Sequence, residues 1–391
     1  MLINRVPFLN VVERPCTILL IFPQKNRFVG VSSRIFSLER GQENKAKGTL
    51  INMDITAILL TQYKPGTNEV ALNPMSHLPA RVFYRVMLTV LLFQPFSVPA
   101  SSQYEQITHG DQRIAVSYPA SLNEAERKIT HLWLQKVAGA LMTVYGELPR
   151  DSFRISIERS SSRSSPVPWG QIERGKPTNV LLVINPELGY ESLIGDWTAF
   201  HELSHLLIPY RGYGNIWFSE GLATYYQNII QARSGLFDET KMWHKIAAGF
   251  ERGRKQQRWN HFNLTEVSDN LGETRQYMRV HWSGVLYWLS ADVELRKQHQ
   301  GTLDNALKQL KDCCEWHSMS AQAIARKLDE LAKVKVFVPL FEKYRESFRI
   351  PEYKSILTDL GVKQNTWTGG ISLDDDAPLA DIRRQVYRNK P

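Results

Sequence analysis

Cysteine is scarce in this chain: three residues in 391, at Cys16, Cys313 and Cys314. Two of them are adjacent, and neighbouring cysteines rarely bridge each other, so no disulfide framework is expected. There is no CxxC metal knuckle. A surplus of one charge is also missing where it would matter. The formal charge of +9 raises nucleic acid as a partner, but residues 1–100 hold 11 Lys/Arg against 5 Asp/Glu, leaving 37 against 34 for residues 101–391. The longer part is almost balanced and has no basic stripe interleaved with aromatics, so nucleic acid is set aside. No internal repeat is present. What remains is a chain of 43% hydrophobic content, long enough to bury a sizeable core without staples.

Residues 81–100, RVFYRVMLTVLLFQPFSVPA, place two arginines before an apolar run from Val86 to Phe93, then Val98-Pro99-Ala100 with small residues at −3 and −1 of a cleavage point. This is the grammar of a secretory signal, and the run is too short to span a bilayer comfortably. It predicts an exported protein, periplasmic or extracellular, whose mature part begins near Ser101. Residues 1–74 then read as an over-extended translation start, with Met75 or Met87 as natural beginnings. The alternative is a signal anchor giving membrane attachment through residues 81–100.

Residues 104–118 alternate enough for one or two strands, and 121–145 read as a long amphipathic helix capped by Asn123 or Ser121 with Glu124 and Glu126 in its first turn. Strands are expected at 153–157 and 179–185, separated by the polar loop SSSRSSPVP. A helix is predicted over 194–208. Further helices follow at 218–234, 239–254, 277–297, 303–311, 320–332 and 338–345. The tail from Ile350 mixes short apolar pieces with turn signals, and the acid run at Asp374, Asp375 and Asp376 reads as a solvated turn. Strands with one long helix first, and helices afterwards, argue an α+β fold. The expected divisions are 101–235, a helical subdomain at 236–350, and a tail from 351.

In HELSH, His201 and His205 are four residues apart and so share one face of a helix, able to present two imidazoles to one ion. Glu202 stands beside them as a carboxylate free to take a proton from a metal-activated water. Fourteen residues separate His205 from Glu220, which sits in NIWFSEGLATYYQ beyond the breakers Pro209, Gly212 and Gly214. A carboxylate there completes a His2Glu zinc site and leaves a fourth position for water. Trp217, Phe218, Leu222, Tyr225 and Tyr226 would bury this second helix against the first. Alternatively, Glu220 is a helix N-terminal acid answering the dipole, and each histidine a hydrogen-bonded core residue.

HELSH followed by WFSEGLATYY resembles the gluzincin peptidases, most closely the glycyl aminopeptidase family, whose second motif reads W-x-x-E-G-x-x-x-Y-Y. The resemblance runs from Ser152 to Lys363. WGQIERGKPTNVLLVI is similar to that family's G-G-L-E-H edge-strand segment, and FEKYRESFRIPEYKSILTDLGV to its helical tail. The family's N-terminal β-domain and PDZ module have no counterpart. The resemblance implies a thermolysin-like catalytic fold, with His201, His205 and Glu220 as zinc ligands and Glu202 as general base. It places Glu173 where related aminopeptidases hold the free amine of the substrate. The family's Tyr-Tyr-x-Lys-Gly reads VHWSG here, which puts His281 at the expected oxyanion donor, with Tyr277 one turn earlier as the other candidate. The implied activity is Zn2+-dependent hydrolysis of peptide or protein substrates, of aminopeptidase type. The alternative is an inactive zinc-binding scaffold of the same fold.

Overall fold

In a computed structural model, residues 16–21, 28–33, 104–299, 301–365 and 369–388 are described. The signal-like segment at 81–100 and the starts at Met75 and Met87 lie outside them. The chain divides into two units, Met1–Pro99 and Ala100–Pro391. In the first, β1 (Cys16–Ile21) pairs antiparallel with β2 (Phe28–Ser33), Cys16 against Ser33 and Ile21 against Phe28.

The second unit opens with β3 (Glu105–His109), β4 (Gln112–Ser117), α1 (Glu124–Leu141), β5 (Ser152–Arg159), β6 (Trp169–Glu173) and β7 (Asn179–Ile184). Its strands form a mixed sheet in the order β3-β4-β5-β7-β6. The parallel pairs β4/β5 and β5/β7 lie inside, and the antiparallel strands β3 and β6 form the edges. Alternation drives the strands: Phe153, Ile155 and Ile157 of β5, and Val180, Leu182 and Ile184 of β7, are all buried. α1 is the crossover between two parallel strands. It starts in a full capping box, Asn123 with Glu126, and buries Trp133, Leu134, Val137 and Leu141.

Helices follow: α2 (Gly189–Gly195), α3 (Thr198–Ser204), α4 (Ile216–Arg233), α5 (Glu239–Lys255), α6 (Leu264–Asp269), α7 (Leu271–Thr274), α8 (Tyr277–Lys297), α9 (Leu303–Cys314), α10 (Ala321–Ala332), α11 (Phe337–Arg345) and α12 (Lys354–Asp359). The short pair β8 (Val362–Gln364) and β9 (Ile371–Leu373) precedes a last helix, α13 (Ala380–Arg388). The architecture is the expected α+β, sheet first and helices after. Among the described residues no helix is long and apolar enough to cross a membrane.

Three local expectations are corrected. The helix predicted over 194–208 is broken: Asp196 adopts an extended conformation and its carboxylate accepts from Thr198 N at 2.7 Å, so α3 starts afresh and ends in a single 3-10 turn, His205–Leu207. The tail holds a helix, α13, that its low apolar content concealed. Ile382, Val386 and the fully buried Arg383 face inward, and Arg383 binds Glu239 at 2.9 Å and Asp375. Adjacent Cys313 and Cys314 are bonded to each other, with Cα atoms 3.8 Å apart. That ring closes no long loop, so the core still carries the stability.

α4 is the centre of the unit. It is buried on almost every side, its polar side chains included, and it packs on α3 and α8. The approach to α8 is set by Gly221 and Gly284. A Cβ on Gly221 would stand 2.3 Å from the Gly284 backbone, and one on Gly284 2.2 Å from the Trp217 carbonyl. Buried polar contacts fix the pairing further. Trp288 Nε1 donates to the Phe218 carbonyl at 2.8 Å, Tyr225 donates to Asp292 at 3.1 Å, and Tyr226 donates to Asp304 at 2.6 Å.

Candidate metal centre

His201 and His205 come from α3 and the turn that ends it, with ring centroids 4.9 Å apart and planes nearly perpendicular. Glu220 enters from the second turn of α4, and His281 from the second turn of α8. All three imidazoles converge on one carboxylate. His201 Nε2 is 3.2 Å from Glu220 Oε2, His281 Nε2 is 3.7 Å from the same oxygen, and His205 Nε2 is 3.6 Å from Oε1. The tightest mutual set is His201, Glu220 and His281, whose ligand atoms lie within 4.8 Å of one another. His205 meets the carboxylate through its other oxygen.

Each imidazole is held from behind by α4. His201 Nδ1 bonds Gln227 Oε1 at 2.8 Å, His205 Nδ1 bonds Ser219 Oγ at 3.0 Å, and His281 Nδ1 bonds Thr224 Oγ1 at 3.0 Å. Tying each Nδ1 leaves each Nε2 facing Glu220, so the hydrogen bond behind each ring sets the orientation in which it could hold an ion. Sequence reading missed Ser219, Thr224 and Gln227. The signal for two of them was present: Thr224 and Gln227 stand four and seven residues after Glu220, on the same helical face.

This donor set fits zinc. Tetrahedral ligands about 2.0–2.2 Å from one ion stand about 3.3–3.6 Å from each other, and the three imidazole nitrogens lie 3.2–3.7 Å from the Glu220 oxygens. Borderline nitrogen and carboxylate donors are also the ones zinc accepts. Burial presses on all the imidazoles. It takes His205 down to about 3 and His281 down to about 4, whereas at His201 the Glu220 carboxylate outweighs burial and the pKa rises. Burial would also raise the Glu220 carboxyl, but the surrounding histidines hold it below the usual carboxylate range.

Glu202 lies between α3 and the edge strand. Gly170 of β6 leaves room for it, since a Cβ there would stand 2.6 Å from Glu202 Cγ. Burial raises its carboxyl, the His201 side opposing and the Glu220 charge adding to the rise.

Two expected residues stay outside the cluster. Tyr277 begins α8 and is 45% exposed, one turn further from the Gly221–Gly284 contact than His281, so α8 brings only the histidine in. Glu173 is exposed, and its carboxylate accepts from Asn179 Nδ2 at 2.8 Å across the edge pairing; it makes no contact with the cluster. Its neighbour Arg174 turns inward instead. The Arg174 guanidinium lies 5.4 Å from the Tyr210 ring centroid and 3.4 Å from Ser219 Oγ.

Comparison with known proteins follows the same lines. The model of the M61 glycyl aminopeptidase family matches residues 211–313, a stretch that contains Glu220 and His281. Among solved structures, an aminopeptidase N family protein from Idiomarina loihiensis is similar at 15% identity and a TM-score of 0.47, over 67% of this chain and 50% of that one. An M1 zinc metallopeptidase from Deinococcus radiodurans is similar at 15% identity and a TM-score of 0.40, over 63% of this chain and 51% of that one. No curated protein matches. The chain spans about half the length of these solved structures. The family match supports a peptidase.

Proposed function

We propose that the protein is a zinc-dependent peptidase of gluzincin type, with His201, His205 and Glu220 as ligands. The observation that carries this reading is the convergence of buttressed imidazoles on Glu220 at 3.2–3.7 Å, with a second carboxylate, Glu202, beside them. Zinc bound there would polarise a scissile carbonyl and lower the pKa of water. Glu202, with its raised pKa, takes a proton from the attacking water and passes it to the leaving amine. His281, fixed by Thr224, donates to the oxyanion that develops on the carbonyl oxygen. Tyr277, half-exposed at the start of α8 one turn before His281, is the second candidate for this role. The amine-binding role of Glu173 loses its support, since its carboxylate is engaged by Asn179 on the surface. Aminopeptidase action therefore rests on the family match. Export through a signal at 81–100 remains part of the proposal on sequence grounds alone.

Glu202→Gln is the test. It should keep one zinc per chain by metal analysis and lose hydrolysis of a peptide library; full activity in that variant would overturn the reading.

A second reading is favoured by His281 standing 3.7 Å from Glu220, within 0.1 Å of the His205 distance. If all three imidazoles and Glu220 bind the ion, the sphere is closed and the protein is a zinc scaffold without turnover. The absorption of the cobalt-substituted protein separates the two, because a closed sphere gives a spectrum that added anions do not change.

A further inference from the structure

We propose that Arg174 is the specificity residue of this cleft and receives a carboxylate on the substrate, either an acidic side chain or a free C-terminus. This rests on the peptidase reading only for what the carboxylate belongs to. Arg174 follows the last residue of edge strand β6, and its guanidinium reaches Ser219 of α4. One guanidinium nitrogen donates to Ser219 Oγ at 3.4 Å, and the same hydroxyl contacts His205 Nδ1 at 3.0 Å, so the cation stands one hydroxyl from a candidate metal ligand. The loop after α3 holds it in place: Tyr210 offers its ring face at 5.4 Å, and Gly212, at φ +96°, leaves the space in which Arg174 Cδ lies, 3.3 Å from where a Cβ would be. The residue is exposed, while protein atoms crowd its guanidinium enough to lower its pKa; arginine stays protonated nonetheless.

Among the described residues no carboxylate lies within ion-pair distance of Arg174, although Glu202 and Glu220 both feel its charge. Its other donors have no carboxylate partner among the described residues, and they keep the fork geometry that matches one. With a divalent ion bound, the charges of Glu202 and Glu220 are balanced and Arg174 leaves the centre with one net positive charge. Such a site draws anionic substrates in preference to neutral ones. Glu173, one residue earlier, faces Asn179 on the outside. The edge strand thus offers a cation to the cleft where an acid would have received an amine.

The experiment uses zinc-loaded Glu202→Gln protein, which binds without cleaving, titrated calorimetrically with Ala-Ala-Glu-Ala-Ala, Ala-Ala-Gln-Ala-Ala, and both again as C-terminal amides. Unblocked peptides can slide in register until a carboxylate meets Arg174. A carboxylate should improve affinity about 10- to 100-fold, as expected for a charge-assisted contact. The Glu/Gln pair reports a side-chain carboxylate, and the acid/amide pair a C-terminal one. In Arg174→Gln that preference should vanish, and in Arg174→Lys part of it should return, with zinc content and melting temperature unchanged in both. Equal affinity for all four peptides, no binding of any, or a preference that survives Arg174→Gln overturns the inference. A preference lost in Arg174→Gln, in a protein that with Glu202 intact cleaves nothing in a peptide library, would sustain the role of Arg174 and reject the peptidase reading.

Discussion

Gly221→Ala puts one methyl group where α4 and α8 touch. The new Cβ would stand 2.3 Å from both the carbonyl carbon and the Cα of Gly284, where ordinary contact begins near 3.4 Å. Both sides of the contact are helix backbone, so no side chain can swing aside and the axes must part by about 1 Å. Overpacking of this kind costs about 1–3 kcal/mol, and in a unit of this size that lowers the melting temperature by about 2–10 °C. Helix propensity alone predicts the opposite sign, since replacing a helical glycine by alanine stabilises by up to about 1 kcal/mol. The direction of the shift therefore decides between packing and propensity. Glu220 is the neighbour of Gly221, and His281 lies one turn before Gly284, so the same displacement separates their side chains, now 3.7 Å apart. A misplacement of about 1 Å can cost about a hundredfold in rate. Thermal melting and peptide hydrolysis measured on the same Gly221→Ala preparation check both arms. A melting temperature at or above that of the unmodified protein would refute the claim that this contact sets the helix spacing.

Gln227→Leu removes the partner of His201 Nδ1 without touching a candidate ligand. Zinc affinity measured by competition with a chelator should fall about 10- to 100-fold; an unchanged affinity would show that Gln227 does not orient the imidazole. Far from the centre, Glu147 accepts from Lys308 at 2.6 Å and Lys311 at 2.9 Å, and these hydrogen bonds hold its carboxyl below the ordinary 4.5. Its folded pKa lies below the unfolded one, so its stabilisation is present above pH 4.5 and is lost as pH falls through the folded value. The melting gap between the unmodified protein and Glu147→Gln should be widest near neutral pH and close on acidification. A gap constant across that range would rule out the carboxylate as its source.

Much of the centre was legible because it is written in helical spacing. His201 and His205 at i and i+4, and Glu220 in a second motif of aromatics, could be placed without coordinates, and the boundaries predicted for α8 match the helix residue for residue. The resemblance already favoured His281 over Tyr277, and the Gly221–Gly284 contact adds the reason, a fact about two helices that one helix cannot state. Glu173 and Arg174 illustrate a harder limit. Neighbouring residues at the end of a strand face opposite ways, so a single step of register decides which enters the cleft, and composition carries no record of that step. The break at Asp196 was readable as Gly-Asp before a new helix, and two of the buttresses of α4, Thr224 and Gln227, as polar residues at helical spacing from Glu220. The helix α13 was not, because a buried arginine, Arg383, does the work of an apolar residue there.

Glu220, Ser219, Thr224 and Gln227 all ride on one helix. Substitution can remove them singly, but a residue inserted at the start of α4 would turn the whole face through about 100° and withdraw the carboxylate and all three buttresses in one stroke. The centre is therefore tolerant of changed letters and intolerant of changed length within α4. The loop at 208–215, which ends before that helix begins, is the place where the spacing between His205 and Glu220 can shrink or grow without turning the face away.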